Sequence, residues 1–500
     1  MAINFIPNDA MAGTGAPKMR KKKPRAKRAA SRATFQFFDE EPQGLAEPGT
    51  PQFLFWQARE AALSAVATWE AVNGNLNAWQ GDRKSVPFIQ DAVVQLGAAA
   101  TLNAFYNRSS FQFFQATRAG KTTFSGESTD TVAHEVGHGL LDSIRPELME
   151  TTLLEVGAFH EAFGDCVALM TALHDPQSRS AVRASLGTRN FLETTSEELS
   201  NAVRLMQANH NAAEPRHALN TLKWQLPSTL PANGGPGVLI NEEHSFARIF
   251  SGAFYDLIVL LAGPSPTSAA LLKATLNAGR LLIAGAKGAP VEARFFQAVG
   301  RAMMLSEDAT NGGANRELIK QAFLNHGIQL GTSAMLAPLS MLGGKPPTVS
   351  KSKATLSAAM RRELAVRLGV KPSTTMTVSS LNIGGQHVAH TRINRQVELG
   401  RVHRSLRGCV ARISDTVLVG GSGGRAAVLG AFPETTATDE EVLSYVDSLV
   451  AHDRIRSSRE RRPAKHGVQA MSRQTHEIER KGGRGELKRV GFACSRCSHD

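Results

Sequence analysis

Apolar residues recur every three or four positions through FLFWQAREAALSAVATWEAV, residues 53–72, and that spacing predicts a helix. The following stretch, SVPFIQDAVVQLGAAATLNAFYNRSSFQFF over 85–114, predicts a helix and then an edge strand. From Val132 onward the helical period dominates, through VAHEVGHGLLDSI (132–144), EVGAFHEAFGDCVALM (155–170), a segment around His244, and three more patterns at 265–286, 294–309 and 315–328. PSTLPANGGPG, 227–237, breaks the series as a turn-rich loop. LAPLSMLGGKPPTVSKSK, 336–353, reads as a linker. Beyond it, a helical pattern at 355–370, alternating stretches at 375–383, 387–399, 409–421 and 425–432, and a helical pattern at 439–455 predict a small α+β domain. GGSGG, 420–424, reads as a hairpin turn, because no lysine-serine or lysine-threonine pair follows it to make a phosphate cradle.

Charge sharpens this division. Residues 1–50 carry nine Lys/Arg against five Asp/Glu, and residues 456–500 carry twelve against five, so the ends hold +11 of the chain's +13. The centre is nearly neutral, which argues against a cleft that binds polyanions. KMRKKKPRAKRAASR, 18–32, has no apolar period, and both basic ends are expected to be disordered tails, with nucleic acid or an anionic surface as their weak partners. The expected organisation is a tail over 1–50, a main domain over 51–332, a linker over 333–353, a small domain over 354–455 and a tail over 456–500. No apolar run is long enough to span a bilayer, and the N-terminal residues show no secretory signal. Four cysteines do not make a disulfide scaffold. Cys166 reads as a small core residue, and Cys494 and Cys497, with His499 nearby, form a CxxC without an evident fourth metal ligand.

The chemistry concentrates in VAHEVGHGLLDSI. His134 and His138, four apart on a helix, project from one face and can share a metal ion. Glu135, one step round, can reach a water in the metal's open position and act as general base. Asp130 is expected to cap this helix, Val132, Val136, Leu140 and Leu141 to bury one stripe, and Pro146 to end it. Gly137 and Gly139 cost helix propensity, about 1 kcal/mol each, and so require close packing in return. On the next helix Glu161 and Asp165 share a face within an apolar run, where one carboxylate can bind metal and the other can hold a ligand histidine by its second nitrogen.

These residues resemble the thermolysin family of zinc metallopeptidases, in which a helix-borne HExxH is followed by a helix with a G-x-x-N-E-x-x-S-D-like motif, here GAFHEAFGD over 157–165. The resemblance covers roughly residues 50–332. It implies a two-lobed α+β domain with a mainly helical C-terminal lobe, Zn2+ bound by His134, His138 and Glu161, Glu135 as base, and Asp165 supporting a ligand. LNAFYN, 102–107, looks like the family's NAFWN strand, which implies that Asn103 and Ala104 bind an extended peptide. HSFARIFSGAFY places His244 eleven residues before Tyr255, the family's interval for the histidine that donates to the developing oxyanion. Arg216, 28 residues before His244, sits at the spacing of the family's arginine that grips a substrate carbonyl.

The chain also departs from that pattern. The gap between His138 and Glu161 is three residues longer than in thermolysin, which implies a longer loop between the two ligand helices or a relation to the fungalysin-like branch. His160 replaces the family's asparagine and reads as a helix-surface residue. Thr152 stands where the family has a tyrosine, removing one oxyanion donor. Of the family's calcium-binding acids only Asp130 has an evident counterpart, so the resemblance does not carry a calcium site over to this chain. The reading is a zinc metalloendopeptidase acting on peptide or protein substrates. The alternative is an inactive zincin-fold protein that binds or tethers through its basic tails. An aminopeptidase is less well supported, because no G-x-M-E-N motif is present.

Overall fold

The computed structural model describes residues 1–9, 11–13, 15–92, 95–96, 99–100, 103–118, 121–206, 208–331, 352–354, 358–367, 375–383, 386–422, 425–430, 438–456, 464–465, 468–469 and 474–493. Its elements run β1 (Ala2–Phe5), β2 (Arg20–Pro24), β3 (Thr34–Phe37), α1 (Pro51–Asn73), β4 (Ser85–Ala92), β5 (Gln95–Leu96), β6 (Ala99–Ala100), β7 (Ala104–Tyr106), β8 (Phe111–Arg118), β9 (Lys121–Phe124), α2 (Thr129–Ile144), α3 (Leu154–His174), α4 (Pro176–Val182), β10 (Thr194–Thr195), α5 (Glu197–Met206), β11 (Arg216–His217), α6 (Glu243–Ala262), α7 (Ser268–Gly288), α8 (Phe295–Asn311) and α9 (Arg316–Asn325). They continue β12 (Ser352–Ala354), α10 (Ala358–Arg367), β13 (Thr375–Ile383), β14 (Gln386–Glu398), β15 (Cys409–Ser422), β16 (Arg425–Gly430), α11 (Asp439–Ala451), β17 (Ile455–Arg456), β18 (Ala464–Lys465), β19 (Val468–Gln469), β20 (His476–Lys481), β21 (Arg484–Arg489) and β22 (Phe492–Ala493). The fold class is mixed α+β.

Local signals account for the central helices. Thr50 caps α1 by accepting from Phe53 N, Pro51 opens its first turn, and the helix buries Phe53, Leu54, Trp56, Val66 and Trp69. α2 buries Val132, Val136, Leu140 and Leu141 fully and ends at Ile144, just before Pro146. Its cap is Ser128, which accepts from Thr131 N, and not Asp130, which lies buried in the first turn. α3 lies between α2 and α6, and α7 packs against α1, α3, α6 and α8. α6 is long and apolar enough to cross a membrane, but 67% of that stretch is buried inside the protein, as befits a core helix.

A six-stranded sheet in the order β22-β7-β8-β4-β3, with β9 on β8, supports α2. Residues 85–92 form a strand here and not the expected helix. Their side chains pack in the sheet, with Val86, Phe88 and Ile89 buried, and strand partners outweigh the weak helical period. β7 is not an edge either: β8 lies on one side and β22 on the other.

Residues 1–50 are not a disordered tail. β1 and β2 pair, β3 joins the main sheet, and several of the basic residues meet acids of α1, of the turn before α4 and of the 38–50 stretch. Lys23 pairs with Glu60, Arg28 and Arg32 with Glu70, Arg25 with Glu41, and Arg20 with Asp175. These partners are distant in sequence, and only folding brings most of them near.

The C-terminal region corrects the second tail. An eight-stranded sheet runs β12-β13-β14-β15-β21-β20-β17, with β16 on β15 as the antiparallel partner expected across GGSGG. β20 and β21 form a tight hairpin across Gly482 and Gly483, both at positive φ, with Ile478 opposite Leu487 and charged residues between. Buried Val397, Cys409, Ile413, Tyr445 and Leu487 belong to the same apolar cluster as the helices around α3.

Candidate metal centre

Two glycines let α2 and α3 approach. A Cβ on Gly137 would lie 2.9 Å from Gly164 Cα, and one on Gly164 would lie 2.6 Å from His134 Nδ1. Gly139 is equally constrained by the Phe111 ring, at 2.6 Å. The helix propensity surrendered at Gly137 and Gly164 therefore secures a close crossing of α2 and α3, and that at Gly139 a close approach of α2 to β8. Across it, His134 Nε2 lies 3.2 Å from Glu161 Oε2, and His138 Nε2 lies 3.8 Å from Glu161 Oε1. One donor atom from each of the three residues lies within 4.8 Å of the others, and all three are buried.

The donor set fits a metal ion. His138 Nε2 and both oxygens of Glu161 are buried and make no hydrogen bond, which is costly unless a cation satisfies them. Glu135 is fully buried with neither oxygen hydrogen-bonded. Burial, and then the Glu161 charge against the opposing pull of His134 and Arg216, pushes its carboxyl up to about 8.

Partners behind the histidines set their orientation. His134 Nδ1 stands 2.9 Å from Asp165 Oδ1, which leaves Nε2 facing Glu161. Burial pushes the Asp165 carboxyl up, but Arg216 and the His134 bond outweigh it and hold it at about 2. Arg216, on β11, reaches Asp165 through Nε at 3.1 Å and Nη2 at 2.9 Å. It thus braces the His134 support, a contact not assigned to it from the sequence.

His160 corrects its assignment as a surface residue. It is fully buried, and its Nδ1 lies 2.9 Å from His138 Nδ1. Burial, followed by neighbouring positive groups, pushes both imidazoles well below their usual range, so the pair is neutral, with one nitrogen donating and the other accepting. Nothing in the spacing of one histidine beside a candidate ligand announces this; the crossing of α2 and α3 creates it.

His244 sits in the first turn of α6, behind Glu242, which caps the helix by accepting from Ser245 N. Its Nδ1 is 2.7 Å from Glu242 Oε1, and its Nε2 is 3.2 Å from Glu161 Oε2 and 2.6 Å from the Ala493 carbonyl. The carbonyl can only accept, so Nε2 donates to it. Asn103 and Ala104 lie at the start of β7, with Asn103 Oδ1 accepting from Ala104 N at 2.8 Å. Thr152 is buried and its backbone N–H donates to Arg412 O. Each of the three tyrosines has its hydroxyl engaged elsewhere: Tyr106 bonds Asp142, Tyr255 accepts from Gly187 N, and Tyr445 bonds Glu243. A pocket bordered by Leu199, Val203, Arg216, His244 and Arg248 opens beside the centre.

A second acidic group, Asp9, Asp130 and Glu197, is buried at the start of α2, with oxygens within 4.8 Å of one another. Burial, then the neighbouring carboxylates, pushes Glu197 up to about 11 and Asp9 to about 7. Of the cysteines, Cys166 is buried in α3 as expected, whereas Cys494, Cys497 and His499 lie outside the described residues. Compared with known proteins, the chain matches no protein-family model and no curated protein.

Proposed function

We propose that the chain is a zinc-dependent metalloendopeptidase with a thermolysin-like arrangement of its catalytic domain. The observation that carries this reading is the convergence of His134, His138 and Glu161 on one buried point beside an unbonded glutamate. Zinc held by these three residues would polarise a scissile carbonyl and acidify a water molecule. Glu135 takes the proton of the attacking water and passes it to the leaving amine. Its burial supports that role, because a dry carboxylate is a stronger base than a solvated one. His244 Nε2–H, which already donates to a peptide carbonyl in this structure, is the donor to the developing oxyanion. Asp165 and Arg216 hold His134 in its ligating orientation, and His160 does the same for His138. With Thr152 offering no phenol, His244 carries the oxyanion alone among the described residues. Hydrolysis of an unfolded protein, its loss on chelation and its recovery with added zinc test the proposal; a zinc-loaded chain that still cleaves no unfolded protein once β22 is displaced from β7 by Phe492→Asp would reject it.

A further inference from the structure

The strand that covers β7 comes from the chain's own C-terminal region and lies where a peptide would meet the metal centre. Phe492 and Ala493 pair antiparallel with β7, opposite Tyr106 and Phe105. Adding a strand to an exposed strand is a general way to bind an extended peptide, with backbone bonds supplying affinity and side-chain pockets supplying choice. The Ala493 carbonyl accepts from His244 Nε2, beside Glu161. The Phe492 ring is fully buried, stacked on His138 at 4.5 Å and 12° and on His160 at 4.1 Å and 23°, with the Arg489 guanidinium 4.5 Å from its centre.

The root of this segment is anchored. Arg489, the last residue of β21, is buried in an ion pair with Glu243, next to His244, and also bonds Tyr445 of α11. Gly157 of α3 makes room for that pair, since a Cβ there would collide with the Glu243 carboxylate and the Arg489 guanidinium. A loose tail has no such seat. The C-terminal sheet instead aims residues 490–493 along β7.

We propose that residues 490–493 are an intramolecular pseudo-substrate, and that the cleft they fill accepts extended peptides with an aromatic side chain in the place of Phe492, between His138, His160 and Arg489. The inference rests on the peptidase reading for what the cleft does, but the strand's occupancy of it can be tested alone. His160 thereby acquires a second role, as one wall of an aromatic subsite. The sequence of the plug, Val-Gly-Phe-Ala, gives the ligand's chemistry: a short apolar strand carrying one ring and no acid.

Three measurements on the full-length chain test it. Amide exchange on the wild type should show β7 and residues 492–493 protected together; exchange at the rate of open amides in both would overturn the proposal without any variant. Binding of a fluorescent, end-blocked Arg-Val-Gly-Phe-Ala peptide should be at least tenfold tighter to Phe492→Asp than to wild type, with circular dichroism confirming that the variant is folded. Phe492→Leu, which can keep the apolar contact, should behave like wild type. Equal binding by wild type and a folded Phe492→Asp would overturn the proposal. If Phe492→Asp binds the peptide tightly but its zinc-loaded form never cleaves unfolded protein, the plug stands and the peptidase reading fails.

Discussion

In the proposed peptidase the chemistry turns on Glu135, since among the described carboxylates near the centre only it and Glu161 are both buried and free of hydrogen bonds. Glu135→Gln keeps the shape and removes the base, so it should lower kcat/KM by about a hundredfold to ten-thousandfold while zinc content stays unchanged. Parallel kinetics and metal analysis check both halves of that statement. His160→Phe removes the imidazole behind His138 and should weaken zinc binding about tenfold to a hundredfold, read by competition with a coloured chelator. The acidic group at the start of α2 has a different signature. Asp9 is raised to about 7, so its folded form binds a proton more tightly than the unfolded chain does. That contribution to stability is complete below about pH 4 and is lost as pH rises through about 7. Urea midpoints measured in chelator should therefore fall across that window, and Asp9→Asn should flatten the slope. Asp165 acts with the opposite sign: held at about 2, it adds stability above the ordinary carboxylate range that is lost only as pH falls towards 2. It does not mask the Asp9 trend.

Individual elements were legible wherever one local signal dominated. α2 could be read from its stripe, its glycines and Pro146, and its chemistry from two histidines one turn apart, because helix geometry alone brings those rings together. α3 was equally readable through Glu161 and Asp165. The β4 region misled, since its run of apolar residues suits a helix until β3 and β8 supply partners. β20 and β21 carry a strong hairpin signal, Lys-Gly-Gly-Arg between alternating segments, but the net positive charge of the region masks it. The α2–α3 crossing supplies a test at this scale. Gly164→Ala and Gly139→Ala each force a methyl group into an occupied space and should each cost about 1–3 kcal/mol. Only the methyl at 164 meets His134, so zinc affinity should drop for that variant and hold for Gly139→Ala. Thermal midpoints paired with zinc titrations distinguish the two.

At the scale of the whole molecule, the described parts of the two basic regions expected to be solvated ends are built into the structure. The N-terminal cations lie on acids of α1 and its neighbours, and the C-terminal strands complete a sheet whose core merges with that of the helices. His160 against His138, Phe492 over both, and Arg489 on Glu243 are contacts between residues 22 to 354 positions apart, and no local pattern encodes such pairs. The Arg489 pair ties the C-terminal sheet to the helix that bears His244. Arg489→Met strands the buried Glu243 charge and should cost about 3–5 kcal/mol; combining it with Glu243→Gln should recover much of that loss in urea unfolding. The proposed chemistry depends on His134, His138 and Glu161 sharing one zinc ion. Metal content after zinc loading and exhaustive dialysis tests this most directly: wild type should retain about one zinc per chain, and His138→Ala should retain far less. A wild type that emerges without zinc, or a His138→Ala variant that keeps as much as wild type, would contradict it.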